Sequence, residues 1–367
     1  MTGKEEREQA KWLLNEIERL LRPQKKTFRF MEVCGTHTVE IFRAGLRQLL
    51  PECVELVSGP GCPVCVTPDS YMDKAIAYAA KSEVIIATFG DMLKVPGSSS
   101  SLAEAQADGA DVRIVYSPLD SIQLAKENPD KKIIFLAVGF ETTAPAEAAA
   151  VYMARQQRLK NYFLLAAPKL VPPAMELLLA DDCRPDGFLL PGHVAVVIGT
   201  EPFKAVLDRY EVPGVVAGFE PLQILRAIYE MAAMLAKNRP EVVNAYPGVV
   251  KPDGNMQARQ LMQEVFSVTD AEWRGLGMLE QSGLKLSTEY RDFDIEEMMP
   301  VSVTLTAKKS ACRCGEVLRG RITPPQCPLF GKVCTPLTAK GPCMVSVEGV
   351  CAAWYKYGRG RFRYGAK

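Results

Sequence analysis

Eleven cysteines and only two histidines in 367 residues carry most of the reactive chemistry of this sequence. Three cysteines stand in turns near the start: Cys34 in Cys34-Gly35-Thr36-His37, then Cys62 and Cys65 in Gly59-Pro60-Gly61-Cys62-Pro63-Val64-Cys65. A Cys-x-x-Cys pair at the mouth of a helix meets backbone N–H groups and the positive end of the helix dipole. Both favour thiolate, a good nucleophile and soft-metal ligand. Thiolate with imidazole suits iron or zinc, so Cys34 and His37 could join Cys62 and Cys65 at a metal site. The same pair also fits a thioredoxin-like redox site without metal. The second histidine lies in Pro191-Gly192-His193-Val194. Gly139-Phe140-Glu141-Thr142-Thr143 offers a carboxylate and hydroxyls, a grouping that equally makes an ordinary helix cap and first turn.

Six further cysteines, Cys312, Cys314, Cys327, Cys334, Cys343 and Cys351, crowd into forty residues near the other end. Their spacings, such as Cys314-x12-Cys327 and Cys327-x6-Cys334, are not the paired Cys-x2-Cys of a zinc ribbon. Four thiolates drawn from irregular Pro/Gly loops suit a cubane iron–sulfur cluster, with structural zinc as the alternative. The compact cysteine triplet of radical S-adenosylmethionine enzymes is absent, as is the Gly-x4-Gly-Lys-Ser/Thr of a nucleotide-binding loop. Cys53 and Cys183 lack such company and read as small, partly buried side chains.

The elements that must position these groups follow from the apolar pattern. Short apolar runs alternate with helical stretches, which predicts βαβ units and parallel sheets covered on both faces. Strands are expected near Phe28–Val33, Cys53–Val57, Val84–Thr88, Val112–Tyr116, Ile133–Val138, Tyr162–Ala166, Gly187–Leu190 and Gly214–Ala217. All four chemical turns then fall at carboxyl ends of strands, where open α/β sheets place their ligand sites. Gly139-Phe140-Glu141 recurs as Gly218-Phe219-Glu220. The reading is an α/β protein with two similar small parallel-sheet domains, 26–125 and 126–238, facing across a cleft. A third, Cys-rich unit of helix and irregular chain would combine the amphipathic helix in 1–25 with 239–367 and bind an iron–sulfur cluster. The Gly97–Ser101 run reads as a loop whose hydroxyls could cap the next helix.

Composition narrows the classes. Forty-four basic and 43 acidic residues leave a net charge of +1, which argues against a broad nucleic-acid surface or a polybasic membrane patch. No apolar run approaches the ~18 residues of a membrane span. The opening MTGKEEREQAKWLL has no apolar core followed by a cleavage site, so a reducing cytoplasmic setting is expected.

With these residues assembled, the chain resembles the HypD family of [NiFe]-hydrogenase maturation proteins. The likeness rests on MEVCGTHT at 31–38, SGPGCPVCVTP at 58–68, VGFETTAP at 138–145, LPGHV at 190–194 and the cysteine-rich tail, in that order. It implies an assembly scaffold rather than an independently turning-over enzyme. On it, with the small partner HypC, an Fe(CN)2(CO) unit is built. HypE, supplied by HypF, delivers cyanide, and the finished unit passes to the hydrogenase large subunit. It also implies a [4Fe-4S] cluster, for which Cys314, Cys327, Cys334 and Cys351 are favoured and Cys312 and Cys343 are alternates. Cys34 would bind the Fe(II) that carries CN and CO, and Cys62 with Cys65 would form a dithiol/disulfide pair. His37, Glu141, Thr142 and His193 would position ligands or move protons. The competing reading is a [4Fe-4S]-dependent thiol-disulfide oxidoreductase acting on a protein partner.

Overall fold

Apolar runs of four to six residues become buried strands here, and the polar stretches between them become helices that cover both sheet faces. The computed structural model describes residues 3–303 and 311–358. In chain order the strands are β1 (Phe28–Glu32), β2 (Val54–Ser58), β3 (Val84–Thr88), β4 (Val112–Ile114), β5 (Lys132–Ala137) and β6 (Tyr162–Ala166). They continue as β7 (Gly187–Pro191), β8 (Gly214–Ala217), β9 (Val242–Asn244), β10 (Phe266–Trp273) and β11 (Gly277–Leu286). β3, β7 and β8 are buried along their whole length, as strands between two helical layers must be.

Two parallel sheets result. One has five strands in the order β2-β1-β7-β8-β9, the other four in the order β4-β3-β5-β6. This corrects the expected grouping by chain order. The boundary placed between residues 125 and 126 falls between β4 and β5, which belong to one sheet. β7 and β8, assigned by sequence to the second domain, instead extend the sheet begun by β1 and β2. A parallel strand finds its neighbour through buried side chains rather than through chain order, and here the chain leaves the first sheet after β2 and returns at β7.

The third unit is also redistributed. The first helix, Gly3–Leu21, buries Leu13, Ile17 and Leu21 in the core of the five-stranded sheet with Phe28, Phe30 and Ile228, against the helix Pro221–Ala236. β9 edges that sheet, while the helix Met256–Val265 packs on the helix Ala144–Gln156 beside the four-stranded one. β10 and β11 pair as an antiparallel hairpin that sequence reading did not anticipate. In the cysteine-rich segment Val317, Leu318, Cys343 and Val350 share a core with Met31, Val33, Cys62 and Cys65. Among the described residues no helix is long and apolar enough to cross a membrane.

Candidate functional site

Register places the chemical turns side by side. β2, β1, β7 and β8 are successive neighbours, and their carboxyl ends lead into Gly59–Cys65, Cys34, His193 and Gly218-Phe219-Glu220 respectively. The first two turns touch: the Gly35 N–H donates to Gly61 O at 2.9 Å, and Gly59 N–H to Glu32 O at 2.8 Å. A Cβ on Gly61 would collide with the Cys34 backbone, reaching within 2.5 Å of its Cα, so this approach requires glycine. The Gly139-Phe140-Glu141 turn comes from the other sheet, after β5, yet Phe140 packs into the same apolar cluster as Cys62 and Cys65.

Cys34 is the extended residue that opens the helix Gly35–Arg43. Burial pushes its thiol up to about 11, while the His37 and Thr36 N–H groups favour thiolate and the Glu348 carboxylate opposes it. Cys34 is therefore a thiol at neutral pH, and a bound cation is what would hold it as thiolate. Glu348 was not legible in the sequence: it stands alone in Ser346-Val347-Glu348-Gly349, outside any motif. In space it accepts a 2.8 Å hydrogen bond from Thr36 Oγ1 and lies against Gly35.

Both histidines lie here, joined by a ring that sequence reading noticed only as a repeat. Phe219 stacks on buried His37 at 4.7 Å and on exposed His193 at 3.9 Å. His37 Nε2 meets the Gly218 carbonyl oxygen at 2.9 Å. Because a carbonyl only accepts, Nε2 carries the proton and Nδ1 is left as a buried acceptor without a protein partner. Burial lowers the His37 pKa to about 4, so the ring is neutral at physiological pH. Burial lowers that of His193 too, with Glu348 pulling the other way.

The Cys62–Cys65 pair has a third member. Burial first, then hydrogen bonds with Cys343 and Cys62, drives the Cys65 thiol well above its ordinary range. Cys343 in turn lines a small, mostly apolar pocket with Cys312, Cys314, Cys327, Cys334 and Cys351. The six clustered cysteines of the sequence thus share one wall system, and Cys343 faces both centres. Burial raises the Cys351 thiol, and its neighbours Cys343, Cys312, Cys334 and Cys327 add to the rise; Cys312 and Cys327 act likewise on Cys334. Cys314 is in neither set and is instead hydrogen-bonded to Cys312. Among the described residues no three Cys, His, Asp or Glu side chains converge as a single metal ion demands. A cubane, with four irons at separate corners, asks for spread thiolates around a cavity, and the donor chemistry of this pocket fits that group.

The other two expected residues, Glu141 and Thr142, differ in burial. Glu141 is buried, and its Oε1 accepts the Val171 N–H at 2.9 Å, at the start of the helix Val171–Leu179. Its Oε2 is buried without a partner, and burial raises the pKa to about 7. Thr142 is exposed; it is Thr143 that packs against Gly139. In the Gly97–Ser101 loop, Ser101 caps the following helix in a reciprocal box with Glu104.

A family model described as HypD, hydrogenase formation hypA family, matches residues 8–358. A hydrogenase maturation factor HypD of Escherichia coli (strain K12) is 47% identical over 335 residues, covering 91% of this chain and 90% of that protein. HypD of Rhodobacter capsulatus is 42% identical over 362 residues, covering 96% of both chains. HypD of Azotobacter vinelandii is 43% identical over 345 residues, covering 92% and 91%.

Proposed function

The chain belongs to the HypD family of hydrogenase formation proteins, and from that premise we propose that it is the scaffold on which an Fe(CN)2(CO) unit is assembled for a [NiFe] hydrogenase. The observation that carries the reading is how closely the cysteine-bearing turns pack: Cys343 lines the six-cysteine pocket and is hydrogen-bonded to Cys65, whose partner Cys62 follows directly on the Gly61 that lies against the Cys34 backbone.

Each group then has a task. Cys34 binds the substrate iron, aided by the N–H groups of its own helix, and releases its proton as the metal binds. A cysteine from a small HypC partner shares that iron. Cyanide arrives from HypE, loaded by HypF, as a thiocyanate-like group R–S–C≡N. Its release needs two electrons and leaves R–S⁻ and an iron-bound cyanide. Cys62 and Cys65 supply both by closing to a disulfide with loss of two protons. Neutral His37 offers Nδ1 as an acceptor, and Glu141, poised near pH 7, holds or gives a proton. His193 and Thr142 are both exposed and within reach of an arriving partner. The pocket would hold a [4Fe-4S] cluster, which when bound supplies electrons singly. The pocket offers six thiols for four places, with Cys314, Cys327, Cys334 and Cys351 as the favoured set and Cys312 and Cys343, both neighbours of Cys351, as alternates. The finished unit passes to the hydrogenase large subunit, and the setting is the cytoplasm.

The test is anaerobic purification, quantification of iron and acid-labile sulfide, and infrared spectra with and without the HypC partner. Four sulfides with iron in excess of the cluster, and partner-dependent CN and CO bands, are the expected result. Because Cys65 touches both Cys62 and Cys343, a thiol-disulfide oxidoreductase acting on a protein partner is the second reading. Cluster iron with no such bands, and disulfide turnover by the chain alone, would establish that one instead.

A further inference from the structure

The ends of β1 and β2 are joined by more than the sheet. Glu32 closes β1 two residues before Cys34, and its register partner Ser58 closes β2 four residues before Cys62. Both are buried. Glu32 Oε1 accepts from Ser58 Oγ at 2.5 Å, from Arg47 Nη2 at 2.9 Å and from Thr38 Oγ1 at 3.4 Å, the last lying on the helix that Cys34 opens. Arg47 Nη2 also donates to Ser58 Oγ at 3.0 Å, and Nη1 donates to the Leu56 carbonyl of β2. The same guanidinium lies over the rings of Phe42, 4.8 Å away, and Trp354, 5.8 Å away. Trp354 belongs to the helix Val350–Tyr357, three residues beyond Cys351.

One buried ion pair therefore touches three segments that carry or lead to cysteines of the site: the helix that Cys34 opens, β2 before Cys62, and the helix bearing Cys351. A pair of this kind adds little net stability, since desolvation offsets the attraction. What a planar guanidinium with a carboxylate adds is direction, because its donors point along fixed lines. We propose that Glu32, Arg47 and Ser58 form a positioning clamp that holds the Cys34 turn, the Cys62–Cys65 turn and the helix bearing Cys351 in one frame. The clamp acts through the thiols and touches none of the reacting atoms; its purpose rests on the thiol chemistry proposed above. Holding Ser58 and, through the Gly59 N–H on Glu32 O, the start of the next turn fixes the effective concentration of Cys62 for Cys65.

The experiment equilibrates the full-length protein with glutathione buffers of known ratio and reads the Cys62–Cys65 disulfide by differential alkylation and peptide mass spectrometry. Glu32→Gln and Arg47→Lys are compared with Ser58→Ala, which removes a single hydroxyl and guards against failure to fold. Ser282→Ala serves as a control: it removes the buried partner of Trp273 Nε1, in the hairpin, outside the clamp. Arg47→Lys is expected to move the equilibrium constant by about tenfold, or ~30 mV, and Ser58→Ala by about threefold. Ser282→Ala should lower Tm and leave the constant unchanged. The clamp is overturned if folded Ser58→Ala and Arg47→Lys stay within about twofold of the parent, or if Ser282→Ala moves the constant equally. A parent lacking iron-bound CN and CO bands, with the shifts still present, retires the scaffold reading and leaves the clamp standing.

Discussion

A carboxyl group buried with neither oxygen bonded is held neutral by its surroundings, and Glu147 is in that position. It is wholly buried on the helix Ala144–Gln156, and burial raises its pKa to about 8. The folded state then binds a proton that the unfolded chain releases near pH 4.5, so stability falls as pH rises from about 4.5 to about 8 and levels off above. Glu147→Met, similar in size and apolar, should remove that slope. We expect Tm to rise at pH 8.5, by a stabilisation on the order of 3 kcal/mol, and to change little at pH 5. Thermal melts across that range check it, and equal gains at both ends would exclude ionisation as the cause. His37 acts with the opposite sign: its pKa is lowered to about 4, so stability is lost as pH falls from about 6.5 toward 4. At this scale the sequence was informative for cysteines and histidines, whose types announce their chemistry. It was silent on Glu348, Phe219 and Glu32, because a glutamate or phenylalanine takes on a role only from what it faces.

Glycine 61 shows how much of the site is fixed by elements rather than by reactive groups. The Cys34 and Cys62 turns approach so closely that a methyl group has no room between them. Gly61→Ala should therefore cost about 1–3 kcal/mol by overpacking, and should displace Cys34 from its hydrogen bonds. Urea denaturation measures the first effect. Loss of partner-dependent iron bands from a variant still folded measures the second; intact bands would mean that the turns can separate without consequence. The strands themselves were readable from apolar runs: β3, β6 and β8 have the bounds their runs predict. The β10–β11 hairpin was not, since FSVTDAEW and GMLEQSGLKL mix charge and small residues without clean alternation, and their pairing slips at Thr269/Ala271. Strand grouping was hidden for another reason. Parallel neighbours are chosen by long-range packing, and nothing local to β7 says that it lies beside β1 rather than β6.

Across the whole molecule the consequence is a division of labour between the sheets. The five-stranded sheet gathers its strands from both sides of the four-stranded one, carries the Cys34, Cys62–Cys65 and His193 turns, and shares its core with the cysteine-rich segment. The four-stranded sheet contributes the Gly139-Phe140-Glu141 turn and packs mainly on its own helices and the hairpin, with Val64 and Val345 also against its core. Anything that ties the six-cysteine pocket together is therefore coupled to β1, β2 and β7 through Met31, Val33, Cys343 and Val350, and to β3–β6 through the smaller contact of Val345. Binding to the folded state alone stabilises whichever region closes the site. With the proposed cluster in the pocket, stripping iron with a chelator under anaerobic conditions should accordingly raise amide hydrogen exchange in 28–66, 187–194 and 342–357. Segments 84–114 and 132–166 should keep their protection, apart from the Glu141 turn. A uniform rise across both sheets would mean that the molecule opens as a single cooperative unit, and the cysteine-rich segment would then be a staple for the entire fold rather than for one sheet.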